Sequence, residues 1–168
     1  SRENNFPIKI SLVIYNNKNS NGILYAKKFK IPYVYINTNI KNYENKILLN
    51  LRKYNISFIC LAGFMKIISN RLIKYYPNKI INIHPSLLPK FKGLNTFSRM
   101  LKNNEKKAGC TVHYVNKQLD GGKKILQKIF FINSKDNENI LKKKTQKLEY
   151  RAFPEAIIKV FRNSRVKH

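Results

Sequence analysis

Short β-branched apolar runs alternate with stretches of helical spacing through the first half of this 168-residue chain. That alternation leaves few folds open to it. Residues 8–15 (IKISLVIY) are expected to form a buried strand. Residues 16–21 make a polar turn, 22–30 suit a short helix ahead of Pro32, and 33–36 a second strand. Residues 44–54 place Ile47, Leu48 and Leu51 at helical spacing. Residues 57–62 (SFICLA) read as a third strand ending at Gly63, a helix near 70–76 stops before Pro77, and 79–83 form a fourth strand. Strands separated by helices pair in parallel through right-handed crossovers, so an α/β fold is predicted, a mostly parallel twisted sheet flanked by helices. After a helix over 96–103, residues 111–115 and 124–132 look like an antiparallel pair. A long helix follows from about residue 139, with Pro154 expected to kink or split it. Neither a repeat nor a linker interrupts the pattern, which reads as one domain over 1–168.

Composition narrows the class. No run of eighteen apolar residues is present, so nothing reads as a membrane span. The polar start, Ser1 to Asn5, does not resemble a signal peptide. Cys60 and Cys110 lie far apart in apolar, strand-like contexts, without CxxC spacing, and read as reduced core residues of a cytoplasmic protein. No metal site is expected. The formal charge of +26 invites a nucleic-acid partner, but the basic residues are scattered and mostly Lys. Lys142, Lys143 and Lys144 form the single triple, on a helix face. Nucleic-acid binders concentrate such charge on one face, often with stacking aromatics. The chain is instead rich in Lys, Asn and Ile together, as compositional drift would make it. The charge is read as that drift, which can still help steer anionic substrates, and it does not choose the function.

The chemistry concentrates at Ile80-Ile81-Asn82-Ile83-His84-Pro85-Ser86-Leu87-Leu88-Pro89, where an apolar strand runs into a proline-bounded loop. Asn82 and His84 sit two residues apart and so share a face. They stand at a strand's carboxyl end, where open α/β sheets bind ligands. Asp120, in Asp120-Gly121-Gly122, is the carboxylate that could join them, although an Asp-Gly pair alone would read as a hairpin turn. Together they make a donor for a developing oxyanion, a general acid, and a group that orients the acid and moves protons. Neither Cys60 nor any serine has the base partner a covalent nucleophile needs.

The runs Leu61-Ala62-Gly63-Phe64-Met65-Lys66-Ile67-Ile68-Ser69, Asn82 to Pro89, and Gly109-Cys110-Thr111-Val112-His113-Tyr114-Val115 through Leu119-Asp120-Gly121-Gly122 occur in this order. In residues and spacing they resemble the phosphoribosylglycinamide formyltransferases over nearly the whole chain, from about residue 8 to 161. The resemblance implies a Rossmann-like formyltransferase fold, with 10-formyltetrahydrofolate as co-substrate and the amine of glycinamide ribonucleotide as acceptor. It implies catalysis by Asn82, His84 and Asp120, and expects Asp120 to raise the His84 pKa. Leu61, Phe64, Met65, Lys66, Ile67, Ile68, Val115 and Leu119 would line the folate pocket. Pro85 and Glu149, with Asn82, would meet the ribonucleotide. For Phe64 and Ile68 a plain core role is an equal alternative, and His113 could line the site or pack in the strand core, with the structural role favoured. No membrane partner is implied, and the assembly would be a monomer or homodimer.

The sequence also departs from the family pattern. Asn95 and Phe97 stand where histidines are frequent, Lys123 where proline is usual after the Gly pair, and Tyr150 where histidine usually follows the glutamate. The family's first strand and phosphate-binding turn find no match, so the chain is expected to be truncated at its N-terminus. Same-fold alternatives are a methionyl-tRNA formyltransferase or a formyltetrahydrofolate hydrolase. Pro85, and the lack of a second, tRNA-binding domain before His168, disfavour the former. A non-catalytic basic nucleic-acid-binding protein is the alternative from another class.

Overall fold

The computed structural model describes residues 6–165, with side chains to 162. The chain start and end that entered the reading above lie outside those residues. The chain divides into two compact units at Phe58/Ile59.

In the first unit, β1 (Val13–Tyr15) is followed by α1 (Gly22–Lys28), β2 (Tyr33–Tyr35) and α2 (Tyr43–Lys53). The strands pair in parallel from Val13↔Tyr33 to Tyr15↔Tyr35. The long buried strand expected over 8–15 is therefore a three-residue, half-buried one. Its ladder starts where the Val13 N–H donates to the Pro32 carbonyl at 2.9 Å. Pro32 has no N–H to return, so pairing cannot extend through it. The apolar spacing of α2 buries Ile47, Leu48 and Leu51, as expected.

The second unit carries β3 (Ile59–Leu61), α3 (Asn70–Tyr75), β4 (Ile80–His84), α4 (Thr96–Lys102), β5 (Lys107–Tyr114), β6 (Lys124–Phe131) and α5 (Glu138–Arg165). Its sheet order is β3-β4-β5-β6. β3 and β4 are parallel, whereas β5 runs antiparallel to both β4 and β6. Antiparallel pairing thus reaches one strand further into the sheet than the sequence suggested. β5 also begins at Lys107 rather than at 111, because residues 107–110 pair with 128–131. At the start of α3, Ser69 Oγ accepts the Leu72 N–H at 3.3 Å, a cap worth about 1 kcal/mol.

β4 is central and buried on both faces, and Ile80, Ile81 and Ile83 meet a core that includes Val112, Ala108 and Leu141. Each fully buried aliphatic side chain contributes roughly 1.5–3 kcal/mol. α5 does not split at Pro154 but runs through it as one helix. Ala152 before the proline and Ala156 and Ile157 after it are all buried. Packing on both sides offsets the roughly 3 kcal/mol an interior proline costs. Cys110 is core, as expected, but Cys60 is exposed on the edge strand β3. The packing around its sulfur still desolvates the thiol and pushes it up to about 11, although the residue as a whole is exposed.

Candidate active site

β4 delivers Asn82 and His84 to one face of the sheet, and the antiparallel register of β5 sets His113 opposite Asn82 and Thr111 opposite His84. Asp120 comes from the loop between β5 and β6, where its backbone is left-handed (φ +47°), a conformation Asp tolerates better than most residues. Its Oδ2 accepts the Gly93 N–H at 2.8 Å and lies 3.4 Å from His84 Nδ1. Its Oδ1 lies 3.5 Å from His113 Nε2. Asn82 Nδ2 is 3.3 Å from the same His113 nitrogen. The three residues named from the sequence do converge, and His113 is a fourth member the sequence reading left in the core. A signal for it existed: Thr111 and His113 alternate as polar residues within an otherwise apolar strand, so they share a face.

His84 is 6% exposed. Its Nε2 donates to the Phe91 carbonyl at 2.9 Å, while Nδ1 faces Asp120, so each ring nitrogen meets an oxygen acceptor. Burial nevertheless dominates and holds the imidazole below its ordinary value, with the Phe91 carbonyl and Asp120 pushing the other way. Asp120 thus raises the His84 pKa, as expected, although burial sets the net direction. For Asp120, burial pushes the carboxyl up. The His113 side chain, the Gly93 N–H and the neighbouring His84 more than offset this, and the group ends below the usual carboxylate range.

The loop after His84 is held by hydroxyls and backbone. Ser86 Oγ donates to the Lys90 carbonyl at 2.6 Å, and Thr111 Oγ donates to the Ser86 carbonyl at 2.6 Å. The Leu88 N–H donates to Thr111 Oγ at 3.1 Å. Gln127 Nε2 donates to that oxygen at 2.8 Å and to the Leu88 carbonyl at 3.0 Å. Phe91 is left-handed (φ +55°), with the Arg99 guanidinium 5.5 Å from its ring centroid. Arg99 also donates to the Lys92 carbonyl at 2.6 Å. These contacts fix the carbonyl that His84 uses.

The expected folate-lining residues divide. Leu61 ends β3 and pairs in register with Asn82, and Ile68 is buried. Phe64 is half-buried and Lys66 exposed. Met65, Ile67 and Leu119 are apolar yet 72%, 73% and 53% exposed, surface that costs free energy in water until something covers it. Val115 donates its N–H to the Ile80 carbonyl at 2.9 Å, and Pro85 is half-buried beside His84.

Glu149 stands on α5 within electrostatic reach of Cys110, whose strand position belongs to the face opposite His113. Within the described residues Glu149 has no hydrogen bond or ion pair with the Asn82–His84–Asp120 cluster. Burial pushes its carboxyl up to about 7. A raised folded-state pKa means stability is fully present below the ordinary value of 4.5 and is lost as pH rises through about 7. Glu149→Gln removes that loss. The variant is expected to be more stable than the parent by about 1 kcal/mol at pH 8, after discounting for solvent screening, and no different at pH 4. Urea midpoints at the two pH values measure this, and equal midpoints at pH 8 would refute it.

Among the described residues, no group of three or more His, Cys, Asp or Glu is arranged to hold a metal ion, and no helix is long and apolar enough to cross a membrane. The formyl transferase family model matches residues 1–157. The phosphoribosylglycinamide formyltransferase of Haemophilus influenzae is 36% identical over 168 residues, covering 96% of this chain and 77% of that protein. The Bacillus subtilis protein of the same name is 35% identical, covering 93% and 82%. The human trifunctional purine biosynthetic protein adenosine-3 is 36% identical over 94% of this chain, which spans only 16% of that protein's length. Among solved structures, phosphoribosylglycinamide formyltransferase from Anaplasma phagocytophilum superimposes with a TM-score of 0.88 at 36% identity, covering 94% of this chain and 76% of that one. With the fold, the ordered motifs and these matches in agreement, the chain belongs to the formyl transferase family, within its phosphoribosylglycinamide formyltransferase branch.

Proposed function

We propose that this protein transfers the formyl group of 10-formyltetrahydrofolate to the amine of glycinamide ribonucleotide, a step of purine biosynthesis. The observation that carries the reading is the convergence of Asn82, His84 and Asp120 at the carboxyl end of β4, in a member of this family. The amine lone pair attacks the formyl carbon, and the carbonyl π electrons move onto oxygen. Asn82 Nδ2 donates a hydrogen bond to that oxyanion, and a protonated His84 stabilises it by charge. The attacking nitrogen loses a proton by way of water and Asp120. The tetrahedral intermediate then collapses, the carbon–N10 bond breaks, and N10 takes a proton from His84. The amine is itself the nucleophile, so no covalent enzyme adduct forms.

Leu61, Phe64, Met65, Lys66, Ile67, Ile68, Val115 and Leu119 surround the pteridine, whose flat ring would cover the exposed Met65, Ile67 and Leu119. Pro85 and Glu149 meet the ribonucleotide with Asn82. The positive field of the chain steers both anionic substrates inward. The protein works in the cytoplasm, as a monomer or homodimer.

The test follows formyl transfer by the purified chain from 10-formyltetrahydrofolate to glycinamide ribonucleotide and, in parallel, to methionyl-tRNA. Turnover with the ribonucleotide alone is expected. A folded, folate-binding protein that formylates only methionyl-tRNA, or neither acceptor, would sink this reading.

A further inference from the structure

We propose that His113 is a positioning residue whose ring, held as the Nδ1–H tautomer, decides which way the Asn82 carboxamide faces. The inference rests on the formyl-transfer reading and adds a residue to it.

His113 is 2% exposed, so protein groups rather than water must satisfy its nitrogens. Nδ1 lies 2.9 Å from the Tyr114 carbonyl oxygen, which can only accept, so Nδ1 carries the proton. A neutral imidazole has one N–H, and Nε2 is therefore a lone pair. The nearest polar side-chain atom to it is Asn82 Nδ2, at 3.3 Å. A lone pair requires a donor, so the amide nitrogen of Asn82 turns toward His113 and its oxygen turns away. The inverted carboxamide would set two buried acceptors against each other, an arrangement disfavoured about ten- to hundredfold.

One N–H of Asn82 is then spent on His113, and the second is held on the open side of the strand end, available to the formyl oxygen. Asp120 Oδ1 lies 3.5 Å from the same His113 nitrogen and competes for it. A proton added at Nε2 would break the Asn82 contact and turn the ring to Asp120. The two arrangements are exclusive, and Asn82 makes the closer approach, 3.3 Å against 3.5 Å.

Two measurements test this on the whole chain. A long-range proton–nitrogen NMR spectrum near pH 7.5 reads the tautomer without turnover, and His113 is expected to show a protonated Nδ1 and a bare Nε2. The kinetic test uses three variants. His113→Gln places a carbonyl oxygen near the Nε2 position and keeps an acceptor for Asn82. His113→Asn reaches only the Nδ1 position and loses that acceptor, and His113→Phe loses both contacts. The Asn and Phe variants are expected to lose about 10–100-fold in kcat, with KM for both substrates within about twofold, and the Gln variant to stay within about threefold of the parent. A His113 ring protonated at Nε2 in the parent protein, or Gln and Asn variants that fall equally, overturns the inference. A bare Nε2 in a chain that transfers no formyl group supports the orientation and sinks only the reaction assigned to it.

Discussion

Asp120→Asn is expected to lower kcat for formyl transfer by about 10²–10⁴-fold while the protein keeps its fold. The amide is nearly isosteric, and its oxygen can still accept the Gly93 N–H that Asp120 Oδ2 takes at 2.8 Å. What disappears is the negative charge 3.4 Å from His84 Nδ1. Burial already holds His84 below its ordinary value, and Asp120 is one of the influences opposing it. Without that opposition the imidazolium becomes scarcer, so the acid that N10 needs is missing at neutral pH. His84→Ala should fall by a comparable factor, and the double variant by little more, because the two act as one proton-handling unit. In the parent, the carboxyl stays ionised to below the usual carboxylate range, so an acid limb that belongs to Asp120 should lie lower than an ordinary carboxylate would put it. Steady-state kinetics with circular dichroism as the folding control decides the matter. An Asp120→Asn protein retaining more than half the parent rate would remove Asp120 from the mechanism.

Gly109→Ala should destabilise the protein by about 3 kcal/mol or more, enough to consume a large part of a domain's ordinary margin. Gly109 pairs with Ile129 across the β5–β6 ladder, and a Cβ there would collide with the Lys128 backbone carbonyl and approach Leu87 Cδ2 to 2.9 Å. A side chain could swing aside, but a ladder carbonyl cannot move without parting the strands. The displaced neighbours would also include Leu87, on the loop that follows His84. Urea denaturation measures the loss directly. For a chain of this size each kcal/mol also lowers Tm by roughly 2–4 °C. A midpoint unchanged from the parent would mean that the two strands lie further apart than described.

Much of the fold was legible because strand and helix spacing follow from side-chain placement. Ile47, Leu48 and Leu51 face inward on α2 as their spacing required, and the apolar run before Asn82 became the central strand. The misreadings share a cause, in that each depended on a partner distant in sequence. β5 starts at Lys107 because β6 pairs with it, and Pro32 limits β1 from the neighbouring strand. Pro154 is carried by burial on either side of it.

The site divides in the same way. Asn82, His84 and Asp120 announced themselves by residue type within dense motifs. The Phe91 carbonyl and the Gly93 N–H carry no residue-type signal, because every peptide unit has a carbonyl and nearly every one an N–H. His113 looked like strand core because the contacts that bring it into the site, to Asn82 and Asp120, come from residues distant in sequence or from another loop. Glu149 stands out in the sequence through the resemblance alone, and its burial on α5 adds a physical mark that no local pattern carries.

The bonds that Thr111 and Gln127 make to the segment after His84 alter how that segment can open. Exposed loops usually exchange their amide protons through small local fluctuations, at a free-energy cost far below that of global unfolding. Here the Leu88 N–H and carbonyl are tied to β5 and β6 side chains, and the Ser86 carbonyl to β5. Freeing the loop therefore requires the hairpin's side-chain network to let go with it. The loop and hairpin become one cooperative unit, whose fluctuations rise and fall with the stability of the sheet and not with the loop's own length.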